Sequence, residues 1–117
     1  MRAILIAALA LAGWSGVAMA QSVGGSYSVK GTNPNGSSYG GTAQITPSGS
    51  ACRIVWKTGS TTSNGICMLA NKAFAAYYRL GKDTGLAVYE LLPDGTLKGY
   101  WTIADTEGVG TETLIPQ

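Results

Sequence analysis

The stretch Leu86-Ala-Val-Tyr-Glu-Leu-Leu-Pro-Asp-Gly-Thr-Leu-Lys-Gly-Tyr-Trp-Thr-Ile103 decides how this chain folds. Two β-prone runs flank Pro93-Asp94-Gly95, where proline presets φ for the first turn position and glycine takes the left-handed one, so the segment is predicted to be a hairpin. A three-residue loop sets Leu91 opposite Leu97, Glu90 opposite Lys98, Tyr89 opposite Gly99 and Ala87 opposite Trp101. Opposite charges then share one face, and large residues meet small ones on the other. A two-residue Asp-Gly loop would set Glu90 against Gly99 and lose that match.

The same chemistry recurs outward from this hairpin. Tyr27 to Thr32 alternates as a half-buried strand does, and Asn33-Pro34-Asn35-Gly36 repeats the turn, setting Gly31 opposite Tyr39 and Val29 opposite Gly41. The second strand runs through Ala43 and Ile45 to a turn at Pro47-Ser48-Gly49. In the third, Ala51 to Lys57, the residues Cys52, Ile54 and Trp56 point inward. A hairpin centred on Gly59-Ser60 leads to the fourth strand, Thr62 to Ala70, and sets Trp56 opposite Ser63, Ile54 opposite Gly65 and Cys52 opposite Cys67. Phe74, Ala76, Tyr78 and Leu80 form the inward face of the fifth. After Ile103 comes the acidic loop Ala-Asp-Thr-Glu-Gly and a last strand from Val109 to Ile115. Eight short strands joined by short links, with no helical periodicity in the mature chain, predict an all-β antiparallel meander closed into a small barrel; a two-sheet sandwich is the alternative.

The start of the chain has a different character. Arg2, the Ala/Leu/Ile run from Ala3 to Leu11 and the small-x-small triplet Ala18-Met19-Ala20 form the pattern of a signal peptide over residues 1–20, cut before Gln21. The run is too short to span a bilayer, so no membrane span is expected after cleavage. A flexible Gly/Ser-rich leader is predicted at 21–26 and one barrel domain at 27–117. Two cysteines facing each other in an exported chain predict a disulfide, and the product is expected in the periplasm or outside the cell.

Charge limits the partners. Without Arg2 there are seven basic side chains against six acidic ones. The basic residues are scattered singly, which gives no electrostatic case for nucleic acid or an anionic membrane. Histidine is absent, and with both cysteines oxidised the serines and threonines have no base, so Ser-His and Cys-His chemistry is excluded. Asp105, Glu107 and Glu112, with Asp94, could supply paired acids or an oxygen site for calcium, but they read as a solvated acidic loop. Glu90 reads as the partner of Lys98. No catalytic residue, metal site or cofactor is expected.

The runs Gly31-Thr-Asn-Pro-Asn-Gly-Ser-Ser-Tyr-Gly-Gly-Thr-Ala43, Cys52-Arg-Ile-Val-Trp-Lys-Thr-Gly59 with Gly65-Ile-Cys-Met68, and Val88-Tyr89 through Asp94-Gly-Thr-Leu-Lys-Gly-Tyr-Trp-Thr-Ile103 to Gly110-Thr-Glu112 resemble a group of small exported bacterial proteins often labelled fibronectin-binding. In outline, through Gly99-Tyr100-Trp101 and the all-hairpin order, the chain is also similar to calycin-type barrels such as avidin relatives and lipocalins. The first resemblance implies adhesion to an extracellular matrix glycoprotein. The second implies a barrel architecture.

Two sets of residues are candidates for function. Trp56, Tyr78, Tyr89 and Trp101 point inward, where they either fill the core or line a ligand pocket; eight short strands favour filling. Leu86, Val88, Leu92 and Tyr100 point outward, with Val55 and Tyr77 on other strands, and give more apolar surface than a solvated barrel needs. A non-catalytic binding module with a protein partner is the first expectation. A periplasmic carrier of a small apolar ligand and an inhibitor of a secreted hydrolase are the alternatives.

Overall fold

A computed structural model describes residues 22–117; the segment read as a signal peptide lies outside the described residues. Eight strands follow one another: β1 Gly25–Thr32, β2 Ser38–Ser48, β3 Ala51–Thr58, β4 Thr61–Ala70, β5 Ala73–Leu80, β6 Asp83–Leu91, β7 Leu97–Ile103 and β8 Gly110–Pro116. Each pairs antiparallel with the next, and β8 pairs with β1, so the sheet closes into a barrel. Closure leaves no strand with an unpaired edge, the constraint that an all-hairpin chain of this length must satisfy.

The register is the expected one. Leu91 lies opposite Leu97, Glu90 opposite Lys98, Tyr89 opposite Gly99 and Ala87 opposite Trp101, while Gly31 faces Tyr39 and Val29 faces Gly41. Turn chemistry explains the agreement. At both Pro-x-Gly turns the glycine is left-handed, with φ of 92° at Gly36 and 91° at Gly95. The side-chain oxygen of the residue before it accepts the N–H two residues on, Asn35 from Ser37 at 3.0 Å and Asp94 from Thr96 at 2.9 Å. That second bond also holds the exposed Asp94 carboxyl below the usual carboxylate range. Between β5 and β6 the chain turns at Gly81-Lys82 alone, and β6 already begins at Asp83.

Alternation sends Tyr27, Val29, Ala43, Ile45, Cys52, Ile54, Trp56, Cys67, Phe74, Ala76, Tyr78, Ala87, Tyr89, Leu91, Leu97 and Leu114 into one interior. The two ends of the barrel differ. One carries the turns at 49–50, 71–72 and 92–96, and its half of the interior is filled by Val29, Ile45, Ile54, Phe74, Leu91, Leu97 and Leu114, the most deeply buried side chains of the domain. Val23 packs against this plug, and Gly25 and Ser26 already pair with Ile45 and Gln44. Gly25 and Ser26, the last residues of the leader expected over 21–26, therefore belong to β1. The opposite end, with turns at 33–37, 59–60, 81–82 and 104–109, is where the filling stops.

Cys52 and Cys67 lie opposite each other on β3 and β4 and are bonded, with Cα atoms 4.9 Å apart. β3 ends at Thr58 and β4 begins at Thr61, its pairing partner, so the hairpin beneath the bridge turns at Gly59-Ser60 alone. A disulfide of this kind belongs to an oxidising compartment outside the cytoplasm. It closes a loop of 15 residues, for which chain entropy gives about 3 kcal/mol. Replacing both cysteines by alanine is therefore expected to lower unfolding free energy by about 2–4 kcal/mol. Equilibrium urea denaturation of the two proteins measures the difference, and coincident curves would contradict it.

Candidate functional site

At the unfilled end the barrel encloses a cavity of about 360 Å³, with Tyr39, Trp56, Tyr78, Tyr89, Trp101 and Glu112 around it and Asn33, Thr58, Thr61, Leu80 and Ile103 near its mouth. The volume is at the small end of the ~300–1,000 Å³ range of small-molecule sites. Its walls are aromatic rings, and a carboxylate sits among them.

Glu112 holds the arrangement together. On β8 it alternates with Gly110 and Leu114, so its side chain points inward, and it is only 6% exposed. Its register neighbours on both sides are glycines, Gly31 on β1 and Gly99 on β7. Those gaps let aromatic side chains from one strand further away reach it. Tyr39, opposite Gly31, donates its hydroxyl to Oε1 at 2.6 Å, and Tyr89, opposite Gly99, donates to Oε2 at 2.5 Å. From across the barrel the Trp56 indole N–H donates to Oε2 at 2.8 Å. Trp56 can only donate, and with two phenols beside it the carboxyl group is surrounded by donors, as an ionised carboxylate requires.

Electrostatics keep those phenols protonated. Burial first, then the negative charge of Glu112 and the hydrogen bond to it, raises Tyr39 and Tyr89 well above the ordinary phenol range. Tyr78 is pushed up to about 12 by burial and by the same charge; its hydroxyl donates to the Thr102 carbonyl at 3.1 Å. The remaining ring is fixed from outside the network, since the Trp101 indole N–H donates to the Thr111 carbonyl at 3.2 Å.

The rings are also held against the wall. Tyr39 lies over Gly31, Tyr78 over Gly85 and Trp101 over Gly110; a methyl group at any of these glycines would come within 2.6 Å of the ring. Edge contacts tie neighbours together, Trp56 with Tyr78 at 5.2 Å and Tyr39 with Trp101 at 6.1 Å between centroids. Aromatics laid on glycines keep to the barrel wall, and the centre stays open.

The four inward aromatics named from the sequence are thus brought together, and they line a cavity where eight short strands predict a filled core. Strand length is the reason: β2 and β4 span 11 and 10 residues, and the aliphatic plug uses only one end of that depth. The acidic residues are not brought together. Asp105 and Glu107 are exposed in the β7–β8 loop, Asp94 lies at the sealed end, and Glu112, which reads in the sequence as part of a solvated loop, is buried. The correction follows from alternation, because Leu114 must point inward and Glu112 lies two residues before it. Tyr39 is visible in the sequence only as the partner of Gly31.

Outside, Leu86, Val88 and Tyr100 are exposed at 62, 54 and 60%. Ile66, Met68, Tyr77 and Val109 join them, giving an apolar surface across β4 to β7 and the residue before β8. Leu92 stands apart: it is half-buried in the turn at the sealed end, its N–H bonded to the Thr96 carbonyl at 2.8 Å. Val55 is likewise half-buried.

No family model matches the chain, and no curated protein sequence matches it, so nothing in these comparisons carries the fibronectin-binding label. Solved structures do match. A redesigned β-barrel, mFAP1, bound to DFHBI, superposes with a TM-score of 0.67 at 19% identity, covering 79% of this chain and 93% of the redesigned one. A de novo designed fluorescence-activating β-barrel superposes with a TM-score of 0.65 at 13% identity, over 84% of this chain and 96% of that one. At such identities the likeness is one of fold, a β-barrel, as the hairpin order leads one to expect.

The raised phenols have a consequence for pH. An unfolded chain releases its tyrosine protons at about 10, before the folded one does, so stability from this source is constant below about pH 10 and declines as pH rises toward 12 and beyond. Denaturation midpoints across that interval, followed with tyrosinate absorbance, are expected to show Tyr39, Tyr78 and Tyr89 ionising late and together with unfolding. Ionisation of all tyrosines in the ordinary range with the fold intact would contradict the network.

Proposed function

We propose that the protein is an exported binder of a small, flat, largely apolar molecule, held in the open end of the barrel. The observation that carries the reading is the cavity of about 360 Å³ walled by five aromatic rings at one end of a barrel whose other end is packed solid. A chain selected only for stability gains by extending the aliphatic plug through its whole interior, since each unfilled volume forfeits packing contacts. A buried carboxylate costs stability as well, and departures of this kind gather at functional sites. The redesigned barrel bound to DFHBI supports the reading to the extent that a barrel of this architecture holds a small molecule. The leader pattern at 1–20 and the disulfide support export.

Indole, a neutral aromatic of suitable size, tests this. Titration calorimetry is expected to give saturable one-to-one binding to the wild-type protein. Thr61→Trp, which places a bulky ring at the mouth, should weaken it at least about tenfold without lowering the unfolding midpoint; that factor corresponds to about 1.4 kcal/mol. Equal binding by both proteins, or none by either, would remove the cavity from the account.

A second reading rests on the outer apolar surface. Patches of this kind mark interaction sites on soluble proteins, which supports a protein-facing role such as the matrix adhesion implied by the sequence resemblance. Tyr100→Ala is expected to reduce capture of the protein on immobilised fibronectin severalfold. Equal capture of both proteins would detach the patch from adhesion.

A further inference from the structure

Granting that the open end binds a small molecule, we infer that its ligand is a small organic amine in the ammonium form, carried on a flat apolar body. The carboxylate of Glu112 has about four acceptor positions. Two on Oε2 are taken by Trp56 and Tyr89, and one on Oε1 by Tyr39. The fourth, on Oε1, takes no protein donor among the described residues, and Glu112 lines the cavity. All three partners are neutral, so they solvate the charge without cancelling it, and every lysine and arginine among the described residues is exposed. A negative charge is therefore set in an aromatic box with no protein cation to match it.

That arrangement discriminates among ligands. An anion would be repelled by Glu112. A neutral apolar molecule would fill the box and leave the free acceptor position unused. An ammonium group donates a charge-assisted hydrogen bond to Oε1 and lies against the electron-rich faces of Trp56 and its neighbours, both of which favour a cation in a site shielded from water. The hydroxyl of Ser63, buried on β4 opposite Trp56, is a further polar group lining the box. The rest of the box, with Trp101 and Tyr78 on its walls, takes the flat body.

Three indole derivatives of similar size separate the possibilities: tryptamine, its alcohol counterpart tryptophol, and indole-3-propionate. By calorimetry the wild-type protein is expected to bind tryptamine roughly 10- to 100-fold more tightly than tryptophol, and indole-3-propionate least of the three. In Glu112→Gln the amine and the alcohol should bind alike. Should that variant fail to fold, Tyr39→Phe serves instead: it frees a second position on Oε1 while leaving the charge, so the preference for the amine should persist or grow. Tryptophol or indole-3-propionate binding the wild-type protein as tightly as tryptamine would overturn the inference, as would loss of the amine preference in Tyr39→Phe. If indole binds and tryptamine binds no better, the amine inference alone falls. If neither binds, the cavity reading falls with it.

Discussion

The carboxylate of Glu112 has to be shared among donors from three other strands, and the open half of the barrel takes its form from that requirement. Withdrawing a carboxylate from water carries an effective penalty of several kcal/mol. Hydrogen bonds to a charged group return about 1.5–3 kcal/mol each. One such bond leaves a deficit, whereas three bring the two quantities to the same size. Tyr39 on β2, Trp56 on β3 and Tyr89 on β6 are therefore all needed, and together with β8 they cross-brace a volume that the aliphatic plug does not reach. The sealed half is held by contact and the open half by polar geometry.

Glycine makes this geometry reachable. A side chain at position 31 would collide with the Tyr39 phenol, and one at position 99 with the backbone of Val88 and Tyr89, the strand from which the second phenol reaches Glu112. The same residue type at 85 and 110 gives Tyr78 and Trp101 a flat place to rest. Glycine weakens a strand in isolation, and here the loss is offset by rings that cover the bare backbone and by the ladder hydrogen bonds of a sheet without edges. The wall and the cavity are products of one pattern, in which aromatic and glycine alternate between neighbouring strands.

Much of this pattern can be read in the chain itself. Pairings across the 93–95, 34–36 and 59–60 turns follow from local turn chemistry and from the matching of charges and sizes, and these are short-range properties. The cysteines fall into place because their register is set by a turn only a few residues away. Two things escape such a reading. Whether Trp56, Tyr78, Tyr89 and Trp101 meet in the centre or lie back against the wall depends on how each ring settles, Tyr78 over Gly85 and Trp101 over Gly110 across their own hairpins, a choice that the alternation of inward and outward positions leaves open. Glu112 lies beside Asp105 and Glu107 in sequence and so resembles a loop acid. Its interior placement is legible only by counting back from Leu114, and its partners come from strands that the final fold alone brings near.

Seven of the eight ladders join strands that are consecutive in the chain; the pairing of β1 with β8 alone spans most of it, with Tyr27 set against Pro116. Loop entropy for bringing distant segments together is thus concentrated at a single seam. Glu112 belongs to that seam, next to Gly31. An unzipped β8 would return the carboxylate to water and strand three donors in the same event, so the seam and the polar cluster open or shut as one cooperative unit. The longitudinal join, where a cylinder built from hairpins is most prone to part, carries its strongest directional bonds beside it.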